Sequence, residues 1–171
     1  MRYQQFLQEV PARSLCHSNT VWRWFESGKG PPTLIVLPGA VGGGNAFFLL
    51  VQELAPAIRV LALDLPVVST ADEALGGLKS VLEQAGVSSG YFLGASYSGL
   101  LVQALAKSHP QYVRGLILSH TGSLDPARTP GELRNAARAR RLPGFVVRGA
   151  IWLLVRLVLR RHGSAAEGTG F

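Results

Sequence analysis

Tyr91-Phe92-Leu93-Gly94-Ala95-Ser96-Tyr97-Ser98-Gly99-Leu100-Leu101-Val102 decides how this chain is read. A short apolar run leads into Gly-Ala-Ser, and an apolar stretch at helical spacing leads away. That is the layout of a nucleophile elbow, where a serine sits on a strained strand-to-helix turn. A serine hydroxyl is a weak nucleophile at neutral pH and needs a base within hydrogen-bond reach. A tight turn pushes its oxygen out to meet base and substrate, and flanking glycines relieve the crowding. Gly94 and Ser96 fit Gly-x-Ser-x-Gly, but the last position holds Ser98, with Gly99 one residue later. The competing reading is a plain tight turn carrying a surface serine.

Working outward, apolar runs and helical stretches alternate. Thr33–Leu37 is continuous, branched and apolar, as in a strand buried on both faces. Ile58–Leu65, Tyr91–Leu93 and Val113–Leu118 are further runs. Ala46–Ala55, Thr70–Gly86 and Tyr97–Ser108 have helical spacing, with Gly86 as a stop. Thr20–Phe25 suits an antiparallel strand, and residues 1–30 are otherwise the least regular part. The alternation predicts a doubly wound, mostly parallel α/β sheet with helices on both faces. In such sheets ligands bind beyond the carboxyl ends of the strands. The loops Pro38–Asn45, Asp64–Ser69, Gly94–Ser98 and Ser119–Asp125 all follow strands and should gather on one edge.

The glycine-rich loop Pro38-Gly39-Ala40-Val41-Gly42-Gly43-Gly44-Asn45 supports the elbow. Acyl transfer needs two N–H groups aimed at the developing oxyanion. The expected donors are the backbone amides of Ala40 and Tyr97, with Gly39 and His120 at the pocket. A phosphate-cradling role is disfavoured, because the loop has neither Gly-Lys-Ser/Thr nor Gly-x-Gly-x-x-Gly spacing. No metal-ligand cluster is visible and no cofactor is implied.

The net charge of +7 sits in the tail. Residues 1–127 carry eight Lys/Arg and eight Asp/Glu, whereas residues 128–171 carry nine arginines against Glu132 and Glu167. The basic balance is therefore no argument for nucleic-acid binding by the domain. Three segments are expected: a core over 1–125, a basic helical lid over 126–162 and a disordered tail over 163–171. The helix at 145–161 reads as a lid helix with solvated arginines, or as an interfacial helix on an anionic membrane. No secretory signal or continuous membrane span is visible. With Cys16 as the single cysteine, a cytoplasmic location is expected.

Taken together, Leu34–Gly39, Val60–Pro66, Leu93–Ser96 and His109–Leu118 resemble the N-terminal half of the α/β-hydrolase family, in its order and spacing. The resemblance covers roughly residues 20–122, and the segment after 125 resembles the start of that family's lid. Phe47-Phe48, Pro66-Val67 and Leu93–Ser96 are similar to the maspardin branch. The family implies a serine hydrolase acting on a small ester or amide, with Ser96 as nucleophile. Its triad runs Ser, then Asp or Glu, then His in chain order. Asp125 would stand in for the acid in a variant of that arrangement.

The histidine is harder to find. His17 and His162 read as surface residues, and His109 as structural beside Pro110. His120 ends the fourth run on the correct edge, as a pocket residue rather than a base. The chain is thus expected to be a partial copy of a serine hydrolase lacking the catalytic histidine. The alternative is a non-catalytic, maspardin-like binding or adaptor protein. A sheet ending after this run would leave an open edge and favour self-association.

Overall fold

The computed structural model describes residues 3–39 and 43–124. The lid over 126–162, the helix at 145–161, the tail, and the site residues Ala40 and Asp125 lie outside them.

The chain begins with α1 (Tyr3–Glu9), then β1 (Arg13–His17), β2 (Thr20–Ser27) and β3 (Thr33–Leu37). A 3₁₀ turn at Gly44–Phe47 leads into α2 (Phe48–Leu54), followed by β4 (Arg59–Asp64) and α3 (Ala71–Gln84). Then come β5 (Gly90–Ala95), α4 (Tyr97–Ser108) and β6 (Val113–Ser119). They build a six-stranded sheet in the order β1-β2-β4-β3-β5-β6. The β3–β4, β3–β5 and β5–β6 pairs are parallel, and β2 runs antiparallel to both its neighbours.

Strand alternation sends side chains to two cores. Trp22, Trp24, Ile35, Leu37, Leu61, Leu63 and Phe92 pack under α3 and α4. Phe25, Leu34, Val36, Val60 and Ala62 face the other way, against α1 and α2. The central strands are apolar at consecutive positions because both faces are covered. Helix α3 has clear ends. Thr70 Oγ1 accepts from Glu73 N at 3.1 Å, and Glu73 Oε2 accepts from Ser69 N at 3.0 Å. At the other end Gly86 takes φ +64° while Val87 N donates to Leu82 O at 2.8 Å. A left-handed residue after the last turn satisfies carbonyls the helix leaves open.

The first thirty residues are more regular than the sequence suggested. β1 and β2 form a hairpin closed by Ser18 (φ 48°) and Asn19 (φ 64°), with His17 paired to Thr20. Two positive-φ residues make the turn that matches strand twist. Neither is glycine, so the usual hairpin signal is absent. His17 is also not a free surface residue: it is half-buried, with Nδ1 2.9 Å from Ser80 Oγ on α3.

Two consequences of this topology position the site. The chain leaves β3 toward α2 on one face and leaves β5 toward α4 on the opposite face. The carboxyl ends of these neighbouring strands therefore diverge and open a crevice between them. In addition, β6 is an edge strand among the described residues, with Ile117 and Leu118 about half exposed.

Candidate active site

Ser96 lies in that crevice, between the last residue of β5 and the first of α4. Its backbone is at φ 55°, ψ −118°, a positive φ uncommon for a residue with a Cβ. The turn is held in place by neighbours. Ser96 N donates to Ser119 O at 2.9 Å, and Gly99 N donates to Ser96 O at 3.1 Å. The side chain itself is exposed, and no described residue hydrogen-bonds its Oγ. A strained backbone supported from both sides, carrying an open hydroxyl, is the arrangement expected of a functional turn.

The glycines have distinct tasks. A Cβ on Gly94 would come within 2.8 Å of Gly99 Cα, and one on Gly99 within 2.4 Å of Thr121 Oγ1. The strand, the first turn of α4 and the loop after β6 therefore meet at van der Waals distance. The requirement for glycine falls on Gly94 and Gly99. Ser98, at the position where the pattern expects glycine, is fully buried and has its own function. Its Oγ accepts from Ala95 N at 2.9 Å and lies 2.8 Å from Leu37 O and 3.0 Å from Ala95 O. Ser98 thus ties the elbow to the end of β3. Sequence reasoning took it for a weakened match; a buried small hydroxyl two residues after the turn is the signal that could have corrected this.

The loops that follow the strands do converge. Gly39 sits beside the elbow: a Cβ there would be 3.3 Å from Ser96 Cβ. Asp64, at the end of β4, accepts from Gly44 N at 2.7 Å and pairs with Arg23 Nε at 3.6 Å. It anchors the glycine-rich loop. Gln103 on α4 donates from Nε2 to Gly99 O and Gly122 O, both at 2.9 Å, and its Oε1 accepts from Leu124 N at 3.2 Å. That brace on the chain leading to Asp125 had no sequence signature, since a polar residue on a helix usually faces water. Tyr97, half exposed, forms a cavity of about 260 Å³ with Gly39, Leu65, Pro66, Val67 and Val68. The walls are largely apolar and uncharged.

Among the described residues, no histidine hydrogen-bonds Ser96. His120 is exposed at φ 49°, and its Nδ1 lies 3.0 Å from Ser119 Oγ. His109 follows the last turn of α4, with Nδ1 2.8 Å from Ser108 Oγ and its ring tilted against Tyr112 at 6.4 Å between centroids. Among the described residues there is no group of metal ligands, and no helix is long and apolar enough to cross a membrane.

Comparison with known proteins bears on family and fold. Residues 32–145 match the family model of the alpha/beta hydrolase fold. A pimeloyl-[acyl-carrier protein] methyl ester esterase of Yersinia enterocolitica is 29% identical over 126 residues, covering 71% of this chain and 48% of its own. The chain spans about half the length of the curated relatives it matches. Among solved structures, an alpha/beta hydrolase from Novosphingobium aromaticivorans superposes with a TM-score of 0.56 at 24% identity, over 64% of this chain and 44% of that one. An N-acyl homoserine lactone degrading enzyme gives 0.59 at 20% identity, over 65% and 46%. At these identities the two structures speak to fold.

Proposed function

This chain belongs to the α/β-hydrolase family, and from that premise we propose that it carries the nucleophile half of a serine hydrolase acting on a small ester. The observation that carries the reading is Ser96. It holds a positive φ of 55° at the β5–α4 turn, with its hydroxyl open and the β3 loop against it at Gly39. In the proposed reaction Ser96 Oγ attacks the ester carbonyl carbon. The amides of Ala40 and Tyr97 hold the resulting oxyanion. Collapse expels the alcohol and leaves an acyl-serine, which water then hydrolyses, returning the proton to Ser96. The histidine base is supplied from outside the described residues, and Asp125 is the candidate acid. The name of the Yersinia relative favours an ester over an amide.

Losing a triad member typically costs several orders of magnitude, so removing the Ser96 hydroxyl should abolish nearly all turnover. The test is hydrolysis of p-nitrophenyl acetate and butyrate, with intact-mass detection of fluorophosphonate labelling. Wild type should label once, at Ser96, and Ser96→Ala should neither label nor turn over. Equal turnover by both proteins would exclude Ser96 as nucleophile.

A second reading is a ligand-binding protein without catalysis. It is favoured by one observation: the described histidines bond other serines and none hydrogen-bonds Ser96. It predicts no labelling of wild type, with apolar ligands still occupying the Leu65–Val68 cavity.

A further inference from the structure

At the opposite end of the sheet, where the parallel strands begin, lies a second cleft of about 280 Å³. Thr33 at the start of β3, Arg59 at the start of β4, the Gly86–Ser89 loop before β5 and Arg114 near the start of β6 surround it. We propose that this cleft binds a phosphate monoester.

Arg114 carries the argument. In the β5–β6 ladder Gly90 pairs with Val113 and Tyr91 with Gly115, so Arg114 is an extra residue with no partner across the pair. A bulge bends a strand and re-aims a side chain, and bulges are rare between parallel strands. Here the guanidinium joins the cleft, where Nε donates to Ser89 Oγ at 2.9 Å. Among the described residues no carboxylate pairs with it, which leaves a planar fork of donors directed at the cleft.

The surrounding charge has the same sign. Arg59 donates to Glu26 from Nε at 2.9 Å and from Nη2 at 2.7 Å. Glu26 is shared with Arg13, whose Nη1 lies 3.2 Å away. One carboxylate thus faces two guanidinium groups, and no described carboxylate lines the cleft. The Ser88, Ser89 and Thr33 hydroxyls add neutral donors. Arg59 is held by Glu26 and by the Ala85 carbonyl and adds positive charge at the cleft wall, so Arg114, with the hydroxyls beside it, is the guanidinium left to meet a tetrahedral dianion. The volume exceeds what the anion alone requires. The cleft is open to solvent, so an organic substituent on the phosphate can extend outward from it.

The test is isothermal titration calorimetry on the full chain, in chloride buffer, with sn-glycerol 3-phosphate and with inorganic phosphate. Saturable one-to-one binding is expected, tighter for the monoester. Equal affinity would support the site and assign it to the free anion. Arg114→Gln should weaken binding by about tenfold or more, the loss of a charged hydrogen bond, and Arg114→Lys by less. Ser88→Asp provides an independent arm. It leaves Arg114 in place, alters an exposed residue and should abolish binding by repulsion. No heat of binding with either ligand, or wild-type affinity in both Arg114→Gln and Ser88→Asp, would overturn the proposal. Fluorophosphonate labelling of Ser96, at the other end of the sheet, should be unchanged in these variants.

Discussion

Replacing Ser98 by alanine should destabilise the fold far more than replacing Ser96, although Ser96 is the candidate nucleophile. Ser98 is fully buried, and its hydroxyl accepts from Ala95 N at 2.9 Å and lies 2.8 Å from Leu37 O. Alanine keeps the volume almost unchanged but leaves one backbone donor and one acceptor without this partner. Leaving a buried polar group unsatisfied costs about 1–3 kcal/mol. The Leu37 carbonyl has a second lone pair, so the donor dominates and the expected loss is about 1–3 kcal/mol. For a chain of this size each kcal/mol lowers Tm by roughly 2–4 °C. Chemical denaturation with urea, followed by circular dichroism, measures the difference directly. Ser96→Ala serves as the control: an exposed side chain without a described hydrogen-bond partner should change stability by no more than about 0.5 kcal/mol. Two results would refute the reasoning. One is Ser98→Ala within error of wild type. The other is a loss of equal size in Ser96→Ala, which would mean the elbow does not depend on the tie to β3.

Other predictions follow from the same geometry. Ser96→Gly should stabilise the protein by about 1 kcal/mol while abolishing labelling, because glycine accepts φ 55° without the strain a Cβ brings; a destabilised variant would argue against strain at the elbow. Gly99→Ala places a Cβ 2.4 Å from Thr121 Oγ1, so it should cost about 1–3 kcal/mol and broaden the amide resonances of Thr121–Leu124 in a nitrogen–proton correlation spectrum. Asp64→Asn, which weakens the hold on Gly44 N and the pairing with Arg23, should raise hydrogen exchange at Gly44 while β4 stays protected. Burial, together with the Tyr112 hydrogen bond to Glu83 and the nearby carboxylate charge, raises the Tyr112 pKa above its usual 10.0. The neutral phenol is therefore favoured by folding. That stabilisation is complete below pH 10.0 and is lost as pH rises through the folded-state value; Tyr112→Phe should flatten this alkaline decline in melts across the range.

Much of the fold was legible because its signals are local. Thr33–Leu37 is apolar at every position after Thr33, which only a strand covered on both faces permits, and the structure confirms a strand with those bounds. The apolar spacing predicts a helix over Tyr97–Ser108, and α4 has those bounds. The helix expected over Ala46–Ala55 begins instead as a 3₁₀ turn, with α2 starting at Phe48, because Gly44 is pinned to Asp64. α1 and β1 have no clear signal in the sequence. α1 is short and buries only Phe6, and β1 is largely exposed, so neither presents a long period.

The sequence by itself determined the strand-to-helix layout around Ser96 and the alternation of strands and helices from β2 onward. A glycine, a serine and two apolar runs within a few residues make the turn legible locally, although its positive φ is held by contacts from Ser119 and from Ser98 to Leu37. Tertiary structure alone decided what stands around that serine. It brought Gly39 to Ser96, made Ser98 a tie rather than a failed glycine, set Gln103 as a brace and directed His120 to Ser119. It also put Arg114 on a bulge beside Arg59. Each of these depends on contacts between residues far apart in the chain. Such contacts follow from which strands lie next to each other and which face each crossover takes, information that no local pattern contains.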